Sequence, residues 1–226
     1  MTTLDINRSY EQSGDVKAAL EKIQACLTKS SRTLIGLTGG PGSGKSTLAT
    51  YLIEYFSKQK NTQVICLSMD GFHLSKAQLH ALPNSDEAFA RRGAPWTFDS
   101  AGFIERVKRI KQSYQLEDIL WPSFDHALGD PIENDVSINK DTKVVLIEGL
   151  YLLHQNDGWR ESKALFDEHW FLDVPVKIAI ERLANRHMQA WNFSHQQAME
   201  RINQSDGLNA DLVANYKDQA DWLLRV

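Results

Sequence analysis

Residues 39–46, Gly39-Gly40-Pro41-Gly42-Ser43-Gly44-Lys45-Ser46, followed by Thr47, carry a glycine, four residues, then Gly-Lys-Ser. Glycines at these places let main-chain N–H groups face an anion without obstruction by a Cβ. A lysine set next in line reaches the β- and γ-phosphates of a nucleoside triphosphate, and the serine after it can hold Mg²⁺. Other residues with suitable chemistry recur at the ends of apolar runs. Asp70 follows Thr62–Ser68, and a carboxylate there can take the proton of a hydroxyl that attacks the γ-phosphate. His73 lies three residues on. Glu148 closes Lys143–Ile147, the most apolar run of the chain, where it can orient Mg²⁺ directly or through water. Arg182 and Arg186 lie four apart on one helical face. They suit a lid that closes on the phosphates, with Arg186 supplying transition-state charge. Arg91 and Arg92 stand beside a turn and two aromatics, Trp96 and Phe98. Asp125 and His126, in a stretch containing Pro122 and Phe124, can hydrogen-bond a polyol or amide.

The flanks supply what these groups need. Thr33–Leu37 is apolar and β-compatible, and Thr47–Phe56 repeats apolar residues at helical spacing. Strand, glycine loop and helix start therefore come in the order of a phosphate-binding loop, with the helix N-terminus adding positive character. Upstream, 14–30 reads as a packing helix with Val16, Ala19, Leu20, Ile23 and Leu27 inward. From His73 to Asp99 regularity fades around Pro83, Gly93 and Pro95, and 100–110 resumes as an amphipathic helix. The Trp121–His126 segment reads as a loop, followed by a polar stretch. Trp170–Val174 is a short strand, 176–191 a helix, then a polar helix and a last strand at 220–226. Strands alternating with helices predict an α/β parallel sheet covered on both faces, with ligands at the carboxyl ends of its strands.

The bulk numbers narrow the classes. A length of 226 residues suits one α/β domain. A net charge of −4 argues against a general nucleic-acid binder. Cys26 and Cys66 have no metal-ligand spacing and read as buried thiols in a reducing compartment. No signal core or membrane-length segment is evident, so a cytoplasmic protein without membrane or nucleic-acid partners is expected, with a homodimer allowed.

A guanine-reading Asn-Lys-x-Asp is missing, because Asn139-Lys140-Asp141-Thr142 has its acid one place early. The polar residues at strand ends suit a reaction made of positioning and charge neutralisation. An ATP- and Mg²⁺-dependent kinase acting on a small hydroxyl compound follows. A nucleotide-binding sensor with little kinase activity and a nucleoside monophosphate kinase are the alternatives.

These residues resemble the phosphoribulokinase, uridine kinase and pantothenate kinase group. Met69-Asp70-Gly71-Phe72 is similar to the stretch with the catalytic Asp in bacterial pantothenate kinases. Arg91–Asp99 is similar to their substrate-side segment, Pro122–His126 to their Pro-x-Tyr-Ser-His loop, and Ile147-Glu148-Gly149-Leu150 to the strand-end Glu-Gly of the group. Gly93–Asp99, Phe124–Pro131 and Ser205–Ala210 resemble small kinases described as fructose-transport-associated or uridine kinases. The resemblance implies a single P-loop kinase domain over 1–226, with a parallel five-stranded sheet flanked by helices and a small lid at about 182–200. It implies ATP held by residues 39–47 with Arg182 and Arg186, and Mg²⁺ by Ser46 and Glu148. Asp70, Lys45 and Arg186 would be catalytic, and Asp70, His73, Arg91, Arg92, Phe98, Asp125, His126 and Asn209 would hold a nucleoside, a pantothenate-like compound or a sugar.

Overall fold

The computed structural model describes residues 3–125 and 127–226, so the expectation for His126 lies outside the described residues. Helix α1 (Thr3–Gln12) precedes α2 (Gly14–Cys26), whose Ser13 cap accepts the Val16 N–H. The first of these was not foreseen, and the second stops four residues short of the expected Ser30. Strand β1 (Thr33–Thr38), α3 (Lys45–Lys58) and β2 (Val64–Ser68) follow as read from the sequence. A 3₁₀ turn, Met69–Phe72, then leads into two short helices, α4 (Lys76–His80) and α5 (Ser85–Ala90), inside the stretch that looked irregular. Helix α6 (Ser100–Gln112) starts on Asp99, which accepts the Gly102 N–H.

The largest departure comes next. Trp121–Asp125 is not loop but part of β3 (Ile119–Asp125), which pairs antiparallel with β4 (Asp130–Ile138) as a separate two-stranded sheet. Pro122 cannot donate to a ladder, and the register shifts between Trp121 and Ser123. Strand β5 (Val144–Gly149), β6 (Glu168–Leu172), α7 (Val176–Trp191), α8 (His195–Gln204), α9 (Asp206–Ala214) and β7 (Trp222–Leu224) complete the chain. The single polar helix expected after Trp191 is thus two, parted at Ser205.

Among the described residues the main sheet has five strands in the order β2-β5-β1-β6-β7, all parallel. The strands β1 and β5 are buried at every position, the pattern of parallel strands with both faces covered. One apolar cluster joins Leu34, Val145 and Ile147 to α6 and Trp121, and another joins Ile35, Leu37 and Leu146 to α2 and α3. At the amino end of the sheet the buried Arg32 guanidinium donates to the carbonyls of Thr142 (2.7 Å), Ile110 (2.6 Å), Asn139 (2.9 Å) and Lys140 (3.0 Å). No helix of the described residues is long and apolar enough to cross a membrane.

Candidate active site

The site residues sit at the carboxyl ends of β1, β2 and β5, where a parallel sheet leaves its crevice. After Thr38 the chain wraps into the glycine loop and enters α3 at Lys45. The first intrahelical bond runs from Leu48 N–H to Gly44 O (2.9 Å), so the N–H groups of Lys45, Ser46 and Thr47 fall in the unpaired first turn. They are the donors an anion would use. Gly42 has φ +76°, and a Cβ there would lie 2.2 Å from Ala179 O on α7. Only glycine lets the loop pass that close to the helix. Ser43 Oγ and Thr38 Oγ1 are buried without a partner, polar groups consistent with a loop awaiting phosphate oxygens. The residues present therefore fit a triphosphate.

Beside the loop, a cleft of about 280 Å³ is lined by Ser46, Ser68, Asp70, Trp121, Phe124 and Glu148, among others. Ser68 Oγ donates to Glu148 Oε1 (2.9 Å), and Lys45 Nζ stands 4.0 Å from Oε2. Burial pushes the Glu148 carboxyl above the ordinary range. Lys45 pulls it back down, and the nearby Asp70 raises it further. Burial also raises the Cys66 thiol at the same wall, so it is a neutral group there. Among the described residues no three His, Cys, Asp or Glu side chains cluster as metal ligands. A Mg²⁺ ion in such a site draws its ligands from phosphate oxygens and water besides one or two protein oxygens. Ser46 and Glu148 are the side chains that could supply those.

Asp70 is carried by the 3₁₀ turn, with its N–H held by Ser68 Oγ (3.2 Å). The turn is clamped to the hairpin. A Cβ on Gly71 would lie 2.1 Å from Pro122 O, and Trp121 Nε1 donates to Ser68 O (2.9 Å). His73 Nδ1 lies 2.8 Å from Asp70 O, and its ring packs between Phe98 and Phe124 at centroid distances of 4.0 and 4.6 Å. Ser68 and Trp121 are thus functional neighbours that sequence reading did not single out. A hydroxyl residue closing a strand just ahead of Asp70 was the one available signal.

On the other side of Ser46, a cleft of about 230 Å³ is lined by Gly42, Gly44, Thr47, Arg182 and Arg186, with Lys45 and Leu183. Arg182 Nη1 donates to Ser43 O (3.0 Å), fixing α7 to the phosphate loop. The expected lid segment, about 182–200, is the second half of α7 with the first half of α8. Asn192, at φ +54°, ends α7, and Leu183, Ala184, Ala198 and Ile202 form the small core beneath.

The remaining acceptor candidates are dispersed. Arg92 donates to Gly129 O, Leu74 O and Asp130, and lies over the Phe124 ring at 5.4 Å. Arg91 donates to Gln204 O (3.0 Å) and Asn209 Oδ1 (3.3 Å), while Asn209 Nδ2 donates to Gly93 O (3.1 Å). Phe98 is buried among His73, Tyr151 and Trp159. Asp125 Oδ1 accepts the Ala127 and Leu128 N–H groups in the hairpin turn (2.7 and 3.0 Å). The structure brings Lys45, Ser46, Asp70 and Glu148 together and sets Arg91, Arg92, Asn209 and Asp125 as ties around them, outside the lining of both clefts.

Comparison with known proteins bears on this geometry. Residues 34–226 match the model of the phosphoribulokinase / uridine kinase family. A Schizosaccharomyces pombe protein named "Putative uridine kinase" is 36% identical over 201 residues, 88% of this chain and 85% of that one. The crystal structure of a "putative fructose transport system kinase" from Silicibacter sp. TM1040 superposes at TM-score 0.80 with 32% identity, over 91% of this chain and 97% of that one. YFH7 from Saccharomyces cerevisiae shares the fold at TM-score 0.75 and 21% identity, covering 100% of this chain and 99% of that one. The chain belongs to the phosphoribulokinase / uridine kinase family and is a small-molecule kinase, a phosphotransferase with an alcohol group as acceptor.

Proposed function

We propose that the chain transfers the γ-phosphate of ATP, with Mg²⁺, to a hydroxyl of a small metabolite held between the Asp70 turn and the β3–β4 hairpin. The observation that supports this reading is the convergence of Ser46, Asp70 and Glu148 on one cleft beside the phosphate loop. In it Lys45 and the first-turn N–H groups hold the β- and γ-phosphates. Ser46 and Glu148 hold Mg²⁺, which when bound spreads the negative charge of the phosphate oxygens. Asp70 orients the attacking hydroxyl and takes its proton. Arg182 and Arg186, on the lid, neutralise charge as it develops.

Acceptors to test are nucleosides, hexoses and pantothenate-like alcohols. Uridine and fructose lead the panel because two of the relatives carry those names. The test is ADP release with ATP and Mg²⁺ against the panel. At least one alcohol is expected to accelerate release far above the basal rate, and chelation of Mg²⁺ to abolish the gain. Tight ATP binding with no acceleration by any alcohol would favour the nucleotide-sensor alternative.

A further inference from the structure

Helix α1 precedes the stretch matched by the family model and is so far without a role. Its one buried aromatic, Tyr10, is 6% exposed, and its ring stands edge-on to Tyr51 of α3 at 5.1 Å. The hydroxyl points at the phosphate loop, 4.0 Å from where a Cβ on Gly44 would sit. Arg182 Nη1 approaches the same point at 3.7 Å. A tyrosine whose ring is buried while its hydroxyl reaches a polar loop is placed to hydrogen-bond what the loop holds. Burial raises the phenol above its ordinary range while the Arg182 charge acts in the opposite sense, as two facing groups would.

Two clefts share Ser46. One contains Asp70 and Glu148, and the other contains Gly44, Thr47 and Arg182. A triphosphate whose γ end meets Asp70 must send its nucleoside toward the second. We propose that Tyr10 is a nucleotide-site residue: its hydroxyl, fixed by the Tyr51 contact beside Arg182, hydrogen-bonds the nucleoside half of ATP. Through it α1 makes the site prefer a nucleoside triphosphate to a bare polyphosphate. The ring is already ordered by packing, so the contact is made at little entropic cost. This inference rests on reading the loop as the ATP site.

The test compares the full chain with Tyr10→Phe, which keeps the ring and its contact with Tyr51 and removes one hydroxyl. Dissociation constants are measured for Mg·ATP and for inorganic tripolyphosphate, with a thermal melt on each preparation. The expected result is ATP binding about three- to tenfold weaker, the range of one neutral hydrogen bond. Tripolyphosphate affinity, the acceptor KM and the melting temperature should be unchanged. Equal weakening of both ligands, or weakening of neither, would overturn the role of Tyr10 while leaving the ATP site intact. Wild-type protein that binds neither ligand would instead remove the ATP reading, and this inference with it.

Discussion

Asp70 and Glu148 line one cleft with opposite surroundings. Glu148 is buried against Ser68 and Lys45, whereas Asp70 rides on a turn at the cleft mouth. Asp70→Asn keeps the volume but cannot accept a hydroxyl proton, so kcat should fall about a hundredfold or more. The ATP dissociation constant should stay near the wild-type value. Measuring both on one preparation checks the assignment, and a kcat within about threefold of wild type, a barrier change of about 0.6 kcal/mol, moves the base elsewhere. Glu148 offers a pH test. Its folded-state carboxyl lies above the unfolded value because burial disfavours the charge, so the ionised form costs stability at neutral pH. That cost is relieved as pH falls through the raised value. Glu148→Gln should therefore melt higher than wild type near pH 7, with the gap closing toward pH 4, while activity is lost. A gap that widens in acid would contradict the burial argument. These residues were legible in the sequence because each follows an apolar run that fixes its place at a strand end. Arg91, Arg92 and Asn209 were legible only as polar groups, since their partners Gln204, Gly129 and Gly93 are distant in the chain or set by a turn.

At the scale of elements, the β3–β4 hairpin was missed because Pro122 and the polar Asp130–Val136 run mask strand periodicity. Its exposed outer face needs no apolar alternation. Its hold on the Asp70 turn is tight, and Gly71→Ala would drive a Cβ into Pro122 O. That substitution should cost about 3 kcal/mol of stability and lower kcat by displacing Asp70, read from a melt and a rate on the same sample. Arg92→Ala removes the ties from the α5 end to Leu74, Gly129 and Asp130. A loss of about 1–3 kcal/mol is expected, with a raised acceptor KM and an unchanged ATP KM. A raised ATP KM would instead link Arg92 to the nucleotide. Helices α7 and α9 meet at His187, whose Nε2 lies 3.5 Å from Asp206, and burial lowers its basicity more than Asp206 restores it. The unfolded chain takes up that proton first on acidification, so stability is lost as pH falls from about 6.5 through the lowered folded value. His187→Gln should flatten this part of a pH–melting profile.

For the molecule as a whole, the parallel α/β class was legible because alternating apolar runs and helical faces admit few other arrangements. Helix α1 was not, since its ten residues carry only a short apolar face, Ile6 and Tyr10, which packs against the core beside Tyr51. The amino end of the sheet is tied by Arg32, remote from both clefts. Arg32→Met removes a charged donor from four carbonyls and should cost about 2–4 kcal/mol, while kcat and both KM values below the melting range stay at wild type. A change in KM would show that the two ends of the sheet communicate. The separation of parts reaches further at the hairpin. The five-stranded sheet carries the phosphate loop and Glu148, but the outer wall of the cleft proposed for the acceptor belongs to a sheet of two strands with no shared ladder. On the proposed reading, Ser123, Phe124 and Val136 can be exchanged for other acceptors without breaking any ladder of the sheet that bears the nucleotide, provided Trp121 and Pro122, which grip the Asp70 turn, are kept.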